Sequence, residues 1–599
     1  MTYRAPVKDL MFNMQALADL PALNQIPAFA DFDLDTAQAV LEECAKLSEA
    51  VIAPLNWEGD KNPSFWKDGQ VFTTPGFKEA FKQFAAGGWQ GLQHPSEFGG
   101  QGLPKTIGAA CGEMINSANV SFALCPLLTD GAIEALLTAG SDAQKAVFLP
   151  KLVDGSWTGT MNLTEPQAGS DLAQVRTRAE PQADGTYKIF GTKIFITYGE
   201  HDMAENIVHL VLARVVGAPE GVKGISLFLV PKFMVNADGS LGARNDAHCV
   251  SIEHKMGIKA SPTAVLQFGD HGGAVGTLIG EENRGLEYMF IMMNAARFGV
   301  GVQGIAVAER SYQQAAAFAR DRVQSRPVDG STAAGGGAAP ILHHPDVRRM
   351  LMTMRALTEG CRAMSSVAAS AYDTAHHHAD ALIAKQAQTL YEFLVPLVKG
   401  YSTEMSLEVT DLGVQVHGGM GFIEETGAAQ HYRDAKILTI YEGTTAIQAT
   451  DLVGRKTGRD GGAFARSVAG LVEATETQLA ARDSAAARSV LKRLSAARLA
   501  YLDVVDFIAA NSRSNPNAAY AGSVPYLMLA GNLVAGWQLA RSAMVAEDHL
   551  AAGNDAAFMS AKIATARFYA EHILSRAGGL RDAIIEGADS VTAMSLDAF

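Results

Sequence analysis

Cysteine is scarce and scattered. The chain has five in 599 residues (Cys44, Cys111, Cys125, Cys249 and Cys361), none in a CxxC spacing. Such a set excludes a disulfide framework or a cysteine zinc site, and predicts buried reduced thiols in a cytoplasmic protein. Positive charge is also short: 49 Lys and Arg against 63 Asp and Glu leave a formal net charge of −14. That balance argues against a general nucleic-acid binder, which draws most of its non-specific affinity from neutralising phosphates. The longest apolar stretch, Tyr526 to Ala540, carries Asn532 and Gln538 and falls short of the roughly 20 residues a membrane span needs. The opening MTYRAPVKDLMFNMQALADL has no apolar core of signal-peptide type. These absences predict a soluble cytoplasmic chain with no integral membrane segment. No metal site is expected either, since His376, His377 and His378 are consecutive on a predicted helix and fan over different faces. Gly335 to Gly337 lack the following Lys-Ser/Thr of a P-loop.

What is present is an ordinary enzyme composition, 48% hydrophobic and 19% charged. At about 100–200 residues per domain, the length implies three or four domains. Apolar residues recur at helical spacing from Asp35 to Lys151, as in AQAVLEECAKLSEAVIAPL and DGAIEALLTAG, which read as amphipathic helices. The period then changes. Thr186 to Gly199, Glu205 to Val216 and Gly224 to Phe233 are short and rich in β-branched and aromatic residues, as strands are. Helical spacing returns at Gly285 and persists to Phe599, broken by DGSTAAGGGAAP (329–340), a predicted mobile loop, and by RKTGRDGG (455–462). The expected fold is mainly α with a central β-domain. It divides into an N-terminal arm (1–33), a helical domain (34–156), a β-domain (157–280), a second helical domain (281–455) and an appended helical domain (460–599).

Four segments stand out in order: LTEPQAGSD (163–171), GTKIFIT (191–197), QVHGGMGF (415–422) and RDAKILTIYEGTTAIQ (433–448). In these the chain resembles the acyl-CoA dehydrogenase family, over roughly residues 35–455. The resemblance implies a helical N-terminal domain, a small β-barrel-like middle domain and a four-helix-bundle domain, with FAD as cofactor. The N-terminal YRAPVKDLMFNM and the C-terminal extension resemble a large bacterial branch that includes 3-methylmercaptopropionyl-CoA and broad-range fatty acyl-CoA dehydrogenases.

The resemblance also assigns roles. Glu442 is the base that removes the α-proton of an acyl thioester, and Gly443 leaves room for the thioester and offers a backbone donor near its carbonyl. Met161, Leu163 and Thr164 meet the flavin edge, Gly169 and Ser170 lie near the FAD pyrophosphate and the CoA arm, and Phe195, Ile196 and Thr197 line the flavin with Thr197 near N5. Phe195 stands where many relatives have Trp. Arg322, with Gln324 nearby, reaches the FAD pyrophosphate of a neighbouring subunit. Gln415, Gly418 and Gly419 pack on the ADP half of FAD, and Thr444 joins the cofactor contacts. Arg297 and Asn294 are expected at the CoA substrate. A minority of relatives place the base just before this arginine, but here that residue is Ala296, so the choice falls on Glu442. These assignments imply at least a dimer, with an electron-transfer flavoprotein as acceptor. Alternatives left open are an acyl-CoA oxidase with the same base, a flavin-bearing nucleic-acid-binding relative, disfavoured by the acidic total, and a remnant without flavin, disfavoured by intact Ser170, Thr197 and Glu442.

Overall fold

The computed structural model describes residues 3–330 and 337–599. Helix α1 (Val7–Ala16) belongs to the arm and is largely buried. It is followed by α2 (Leu34–Leu47), α3 (Phe77–Ala86), α4 (Lys105–Ala118), α5 (Val120–Ala139) and α6 (Asp142–Val153). Local sequence sets the starts: Asn119 caps α5 through the Phe122 N–H, and Ser141 with Gln144 forms a reciprocal capping box on α6. DGAIEALLTAG is amphipathic as expected, with Asp130, Glu134 and Thr138 on its more open face. It is the second half of α5, and its remaining faces are buried because α5 is packed against other elements, strand β1 among them.

The middle of the chain forms β1 (Trp157–Asn162), β2 (Arg178–Pro181), β3 (Tyr187–Thr197), β4 (Asn206–Val215), β5 (Ser226–Pro231), β6 (Ala247–Ile252), β7 (Thr263–Phe268) and β8 (Ala274–Ile279). Their order is β6-β7-β3-β8-β5-β4-β1, and β2 pairs with both β3 and β4, closing the sheet into a barrel-like ring. The barrel holds its own core, with Phe228, Val211, Ile189 and Phe268 fully buried.

The second helical region runs through α7 (Gly285–Asp321), α8 (Pro345–His377), α9 (Ala381–Pro396) and α10 (Ser402–His417), with α9 and α10 joined by a π-helical turn, Leu397–Tyr401. Glycine decides one packing here. A Cβ on Gly301 or Gly304 of α7 would lie 2.3 Å from the Val398 carbonyl oxygen or 2.9 Å from that of Ser402, so their absence lets α7 press against the π turn. Short helices α11 (Ala428–Lys436) and α12 (Thr445–Val453) flank the Tyr-Glu-Gly turn. The rest forms α13 (Ala463–Ala480), α14 (Ala485–Asn511), α15 (Ser523–Ala551) and α16 (Ala556–His572). These helices do not build a separate core: their apolar side chains and those of α7–α10 belong to one continuous cluster.

Part of the predicted loop, residues 331–336, lies outside the described residues. Its flanks are tied by a bridge between Val323 and Pro340 and by the His344 ring on the Gln324 carbonyl at 2.8 Å. All five cysteines are buried and free. Two helices, α5 and α7, have the length and hydropathy of a membrane span, with 78% and 67% of their most apolar windows buried inside the protein.

One junction joins distant parts of the chain. The Arg362 guanidinium of α8 bonds Glu113 of α4, Asp9 of α1 at 2.8 Å and Glu309 of α7 at 2.7 Å. Lys562 of α16 closes the cluster on Asp9 at 2.5 Å and on Glu359 at 2.8 Å, and Glu359 also accepts from Arg355. Burial acts against the Lys562 charge, yet Asp9 and Glu359 hold its pKa above the ordinary lysine value. Removing one partner from such a set leaves a buried charge without compensation.

Candidate active site

The Tyr-Glu-Gly turn is strained in the way its residues require. Glu442 has φ +56° and Gly443 φ +85°, the left-handed region that glycine enters freely and glutamate rarely does. Around it the protein supplies anchors. Buried Lys399, on the π turn, donates from Nζ to the carbonyls of Leu438 (2.9 Å) and Gly443 (2.7 Å). Gln448 Nε2 also reaches the Gly443 carbonyl at 3.2 Å. Tyr441 donates to Gln303 Oε1 at 2.5 Å, and Gln303 passes the chain to Asn116 Oδ1 at 3.1 Å. Thr444 caps α12 by accepting from the Ile447 N–H.

The Glu442 carboxylate has no hydrogen bond or ion pair among the described residues. Burial raises its pKa, opposed in turn by the positive charges of Lys399 and Arg297. The same burial lowers the Lys399 ammonium to about 8, with Glu442 favouring and Arg297 opposing its charge. Arg297 is itself buried. It touches Asn294 only at 3.4 Å, its Nε has no partner, and burial lowers its pKa against the pull of Asp451 and Glu442. Arg297 therefore stands at the base turn instead of at the surface. A separate cavity of about 130 Å³ opens between α3, α4, α5 and α7; Phe298 and Val302 line it together with His94, Lys105, Asp130 and Glu134, and neither Arg297 nor Glu442 does.

A second group lies on the barrel rim. The Ile194 N–H donates to the Thr164 carbonyl at 2.9 Å, which joins the end of the β1 segment to β3. A bulge in the β3–β7 pairing between Lys193 and Ile196 throws Phe195 outward, at φ +60° and 58% exposed. An aromatic held in the left-handed region and left uncovered is an outlier of the kind functional sites retain. Leu163, Thr164 and Thr197 are half-buried, while Gly169 and Ser170 lie on an exposed loop. The side chains of Met161 and Ile196 are buried in the core, which leaves their main chain on the rim. The rim, an outward aromatic with half-open apolar and hydroxyl groups beside it, fits one face of a flat isoalloxazine.

The third group is separate. Phe318 of α7 stacks on His417 of α10 at 4.4 Å, which brings together the helix ends that carry Arg322 and Gln415, Gly418 and Gly419. Arg322, Gln324, Gln415 and both glycines are exposed. Gly418 has φ +61°, and nothing lies within 4 Å of a Cβ built on either glycine. In the His376–His378 run, expected not to bind metal, His376 stacks on Tyr372 and His377 packs edge-on against Phe29.

Sequence reasoning missed the groups that hold these pieces in place. Glu165 accepts from Lys193 Nζ at 2.8 Å, from the Thr177 hydroxyl at 2.6 Å and from the backbone of Arg176 and Thr177, while Lys193 also holds the Leu163 carbonyl at 2.9 Å. Burial would raise the Glu165 carboxyl, but the Lys193 charge and these hydrogen bonds bring it to about 2. Lys399 was missed as well. Its signal is a single lysine inside the apolar run FLVPLVKGY (393–401).

The order of helical domain, β-barrel and helical bundle, with the strained Glu442 turn in the last, is that of the acyl-CoA dehydrogenases, and family models match it. The acyl-CoA dehydrogenase N-terminal domain matches residues 35–156, the middle domain 160–271 and the C-terminal domain 283–456, and an acetyl-CoA dehydrogenase C-terminal-like domain matches 465–595. The chain belongs to the acyl-CoA dehydrogenase family. It is 55% identical to a 3-methylmercaptopropionyl-CoA dehydrogenase of Ruegeria pomeroyi over 100% of both chains. It is 36% identical to a broad-specificity linear acyl-CoA dehydrogenase of Mycobacterium tuberculosis over 98% of each. Its fold is that of an acyl-CoA dehydrogenase complexed with FAD from Bacillus anthracis, at TM-score 0.74, 21% identity, and 95% and 92% coverage.

Proposed function

We propose that this chain is an FAD-dependent acyl-CoA dehydrogenase that converts an acyl-CoA thioester to its trans-2-enoyl form, with Glu442 removing the α-proton. The observation that carries this reading is the Glu442 carboxylate, held on a left-handed turn, unpaired, its pKa raised by burial. FAD, when bound, supplies the acceptor for the β-hydride. The protein's part is positioning and proton removal. A carboxylate kept away from partners stays available to a C–H proton, and one with a raised pKa is a stronger base. The Gly443 turn and Arg297 give the thioester end a polar neighbourhood. The outward Phe195, Leu163, Thr164 and Thr197 are the residues that would hold the flavin ring.

Arg322 lies 25 residues beyond Arg297 on one helix and its cap, about 37 Å along the axis at 1.5 Å per residue. That span supports a role for Arg322, Gln324, Gln415, Gly418 and Gly419 on the cofactor of a second copy, and hence an assembly of at least two chains. The full-length likeness to a 3-methylmercaptopropionyl-CoA dehydrogenase favours that thioester as a substrate. An electron-transfer flavoprotein as acceptor and a cytoplasmic location complete the reading. The test is anaerobic titration of the purified flavoprotein with acyl-CoAs of graded length and with 3-methylmercaptopropionyl-CoA, following flavin absorbance. Bleaching by one class, lost in Glu442→Gln with FAD retained, is the expected result. A yellow protein that no thioester bleaches refutes it.

A further inference from the structure

Lys399 has no assigned part in the chemistry, yet it is the most unusual charge near the base. It is fully buried, and no carboxylate lies within 4.0 Å of its Nζ among the described residues; its hydrogen bonds go to two main-chain carbonyls, Leu438 and Gly443, on either side of Glu442. An ammonium is a costly way to bind neutral carbonyls in an apolar interior unless its charge also has use. Here the turn it grips is the one whose backbone is strained, and the grip spans both ends of that strain.

The place of Lys399 is in turn set from the C-terminal helices. Gly400, the next residue, faces Leu527 of α15 so closely that a Cβ would lie 2.7 Å from Leu527 Cδ2. Tyr401 donates to Asn532 Oδ1 at 2.8 Å, meets the Tyr569 hydroxyl of α16 at 2.9 Å, and fills the space left by Gly531. The π turn from Leu397 to Tyr401 is thus clamped between α7, through Gly301 and Gly304, and α15 with α16.

We propose that Lys399 is the positioning residue of the catalytic base, and that helices α15 and α16 fix it there, so the C-terminal extension holds the Glu442 turn in its working geometry. This rests on Glu442 being the base. The charged and titratable groups that face the turn are Lys399 from the π turn, Arg297 from α7, the neighbouring Tyr441, Glu404 of α10 acting on Lys399, and Asp451 and Arg455 acting on Arg297. Taking away the Lys399 charge removes one of the two positive groups opposing the effect of burial on Glu442, so the carboxylate pKa rises further and the base is lost at a higher pH.

The experiment is the pH dependence of flavin reduction under saturating acyl-CoA in the wild type, Glu442→Gln, Lys399→Met and Leu527→Ala. The wild type shows a carboxylate step that Glu442→Gln removes; without that step the reading of Glu442 fails, and this proposal with it. Given the step, Lys399→Met is expected to slow reduction about tenfold to a hundredfold, as loss of alignment does, to move the step up by about one pH unit, and to leave KM within about threefold. Leu527→Ala, far from substrate, is expected to shift the step in the same direction by less. A folded Lys399→Met with an unmoved step overturns the proposal. If Lys399→Met does not fold, an unmoved step in Leu527→Ala overturns it equally.

Discussion

Two clusters of buried charge lie in the same helical region and are built on opposite rules. Around Arg362, three cations (Arg355, Arg362 and Lys562) meet four carboxylates (Asp9, Glu113, Glu309 and Glu359) in direct ion pairs. Around Glu442, a carboxylate, an ammonium and a guanidinium sit near one another without a single ion pair among them, and Arg297 Nε has no partner. Removing a partner from the first leaves an uncompensated charge, whereas the second already tolerates incomplete pairing. A protein that can satisfy buried charges this thoroughly leaves a site unsatisfied where the missing partner is a substrate.

That contrast can be broken most severely at the base. Glu442→Gln should lower the rate of flavin reduction by about 10²- to 10⁴-fold, the range of a positioned general base, while leaving thermal unfolding unchanged or slightly raised. Stopped-flow absorbance and a melt on one preparation decide it. Arg362→Met should do the reverse. It strands Glu113 in the interior, takes one of two partners from Asp9 and from Glu309, and should cost about 3–5 kcal/mol in denaturant unfolding, with the rate per bound flavin unaltered. A third measurement sharpens the comparison through pH. Because burial raises the Glu442 pKa and only the carboxylate accepts a proton, reduction should fall as pH falls through a value above the ordinary carboxylate range. A profile flat down to pH 4 would place the base elsewhere. The smallest expected effect is at the exposed end of α7: Arg322→Ala should weaken FAD retention by about 1.5–3 kcal/mol, as for a hydrogen bond to a charged group. Equilibrium dialysis of the flavin reads it.

Much of this was legible from the chain alone, because local chemistry carries it. The strand segments 186–199, 205–216 and 224–233 fold as β3, β4 and β5 within a residue or two of the expected ends, since β-branched runs bounded by Gly and Pro have few other solutions. The family and its FAD chemistry followed from four motifs. What the sequence hid is long-range. The resemblance put Phe195, Ile196 and Thr197 together on the flavin, but only the register shift against β7 turns Phe195 outward while Ile196 stays in the core. Lys193 and Glu165 are 28 residues apart, Arg362 and Asp9 353 apart, and no periodicity connects such pairs. The C-terminal extension read as an add-on, yet its side chains share one core with the bundle, because Leu527 of α15 packs against Gly400 and Tyr401 against Gly531.

The Asp9–Lys562 contact has a consequence for how the molecule is made. Its two members are separated by 553 residues. At about 5–20 residues per second the ribosome needs roughly half a minute to two minutes to produce the second after the first. Through that interval helix α1 has no lysine to dock against, and closing so large a loop is the slow, entropy-limited step of a high-contact-order fold. The amino-terminal helix therefore gains its last ion-pair partner only once the nascent chain has delivered α16, and a chain that stalls short of α16 keeps Arg362 for Asp9 but lacks its lysine.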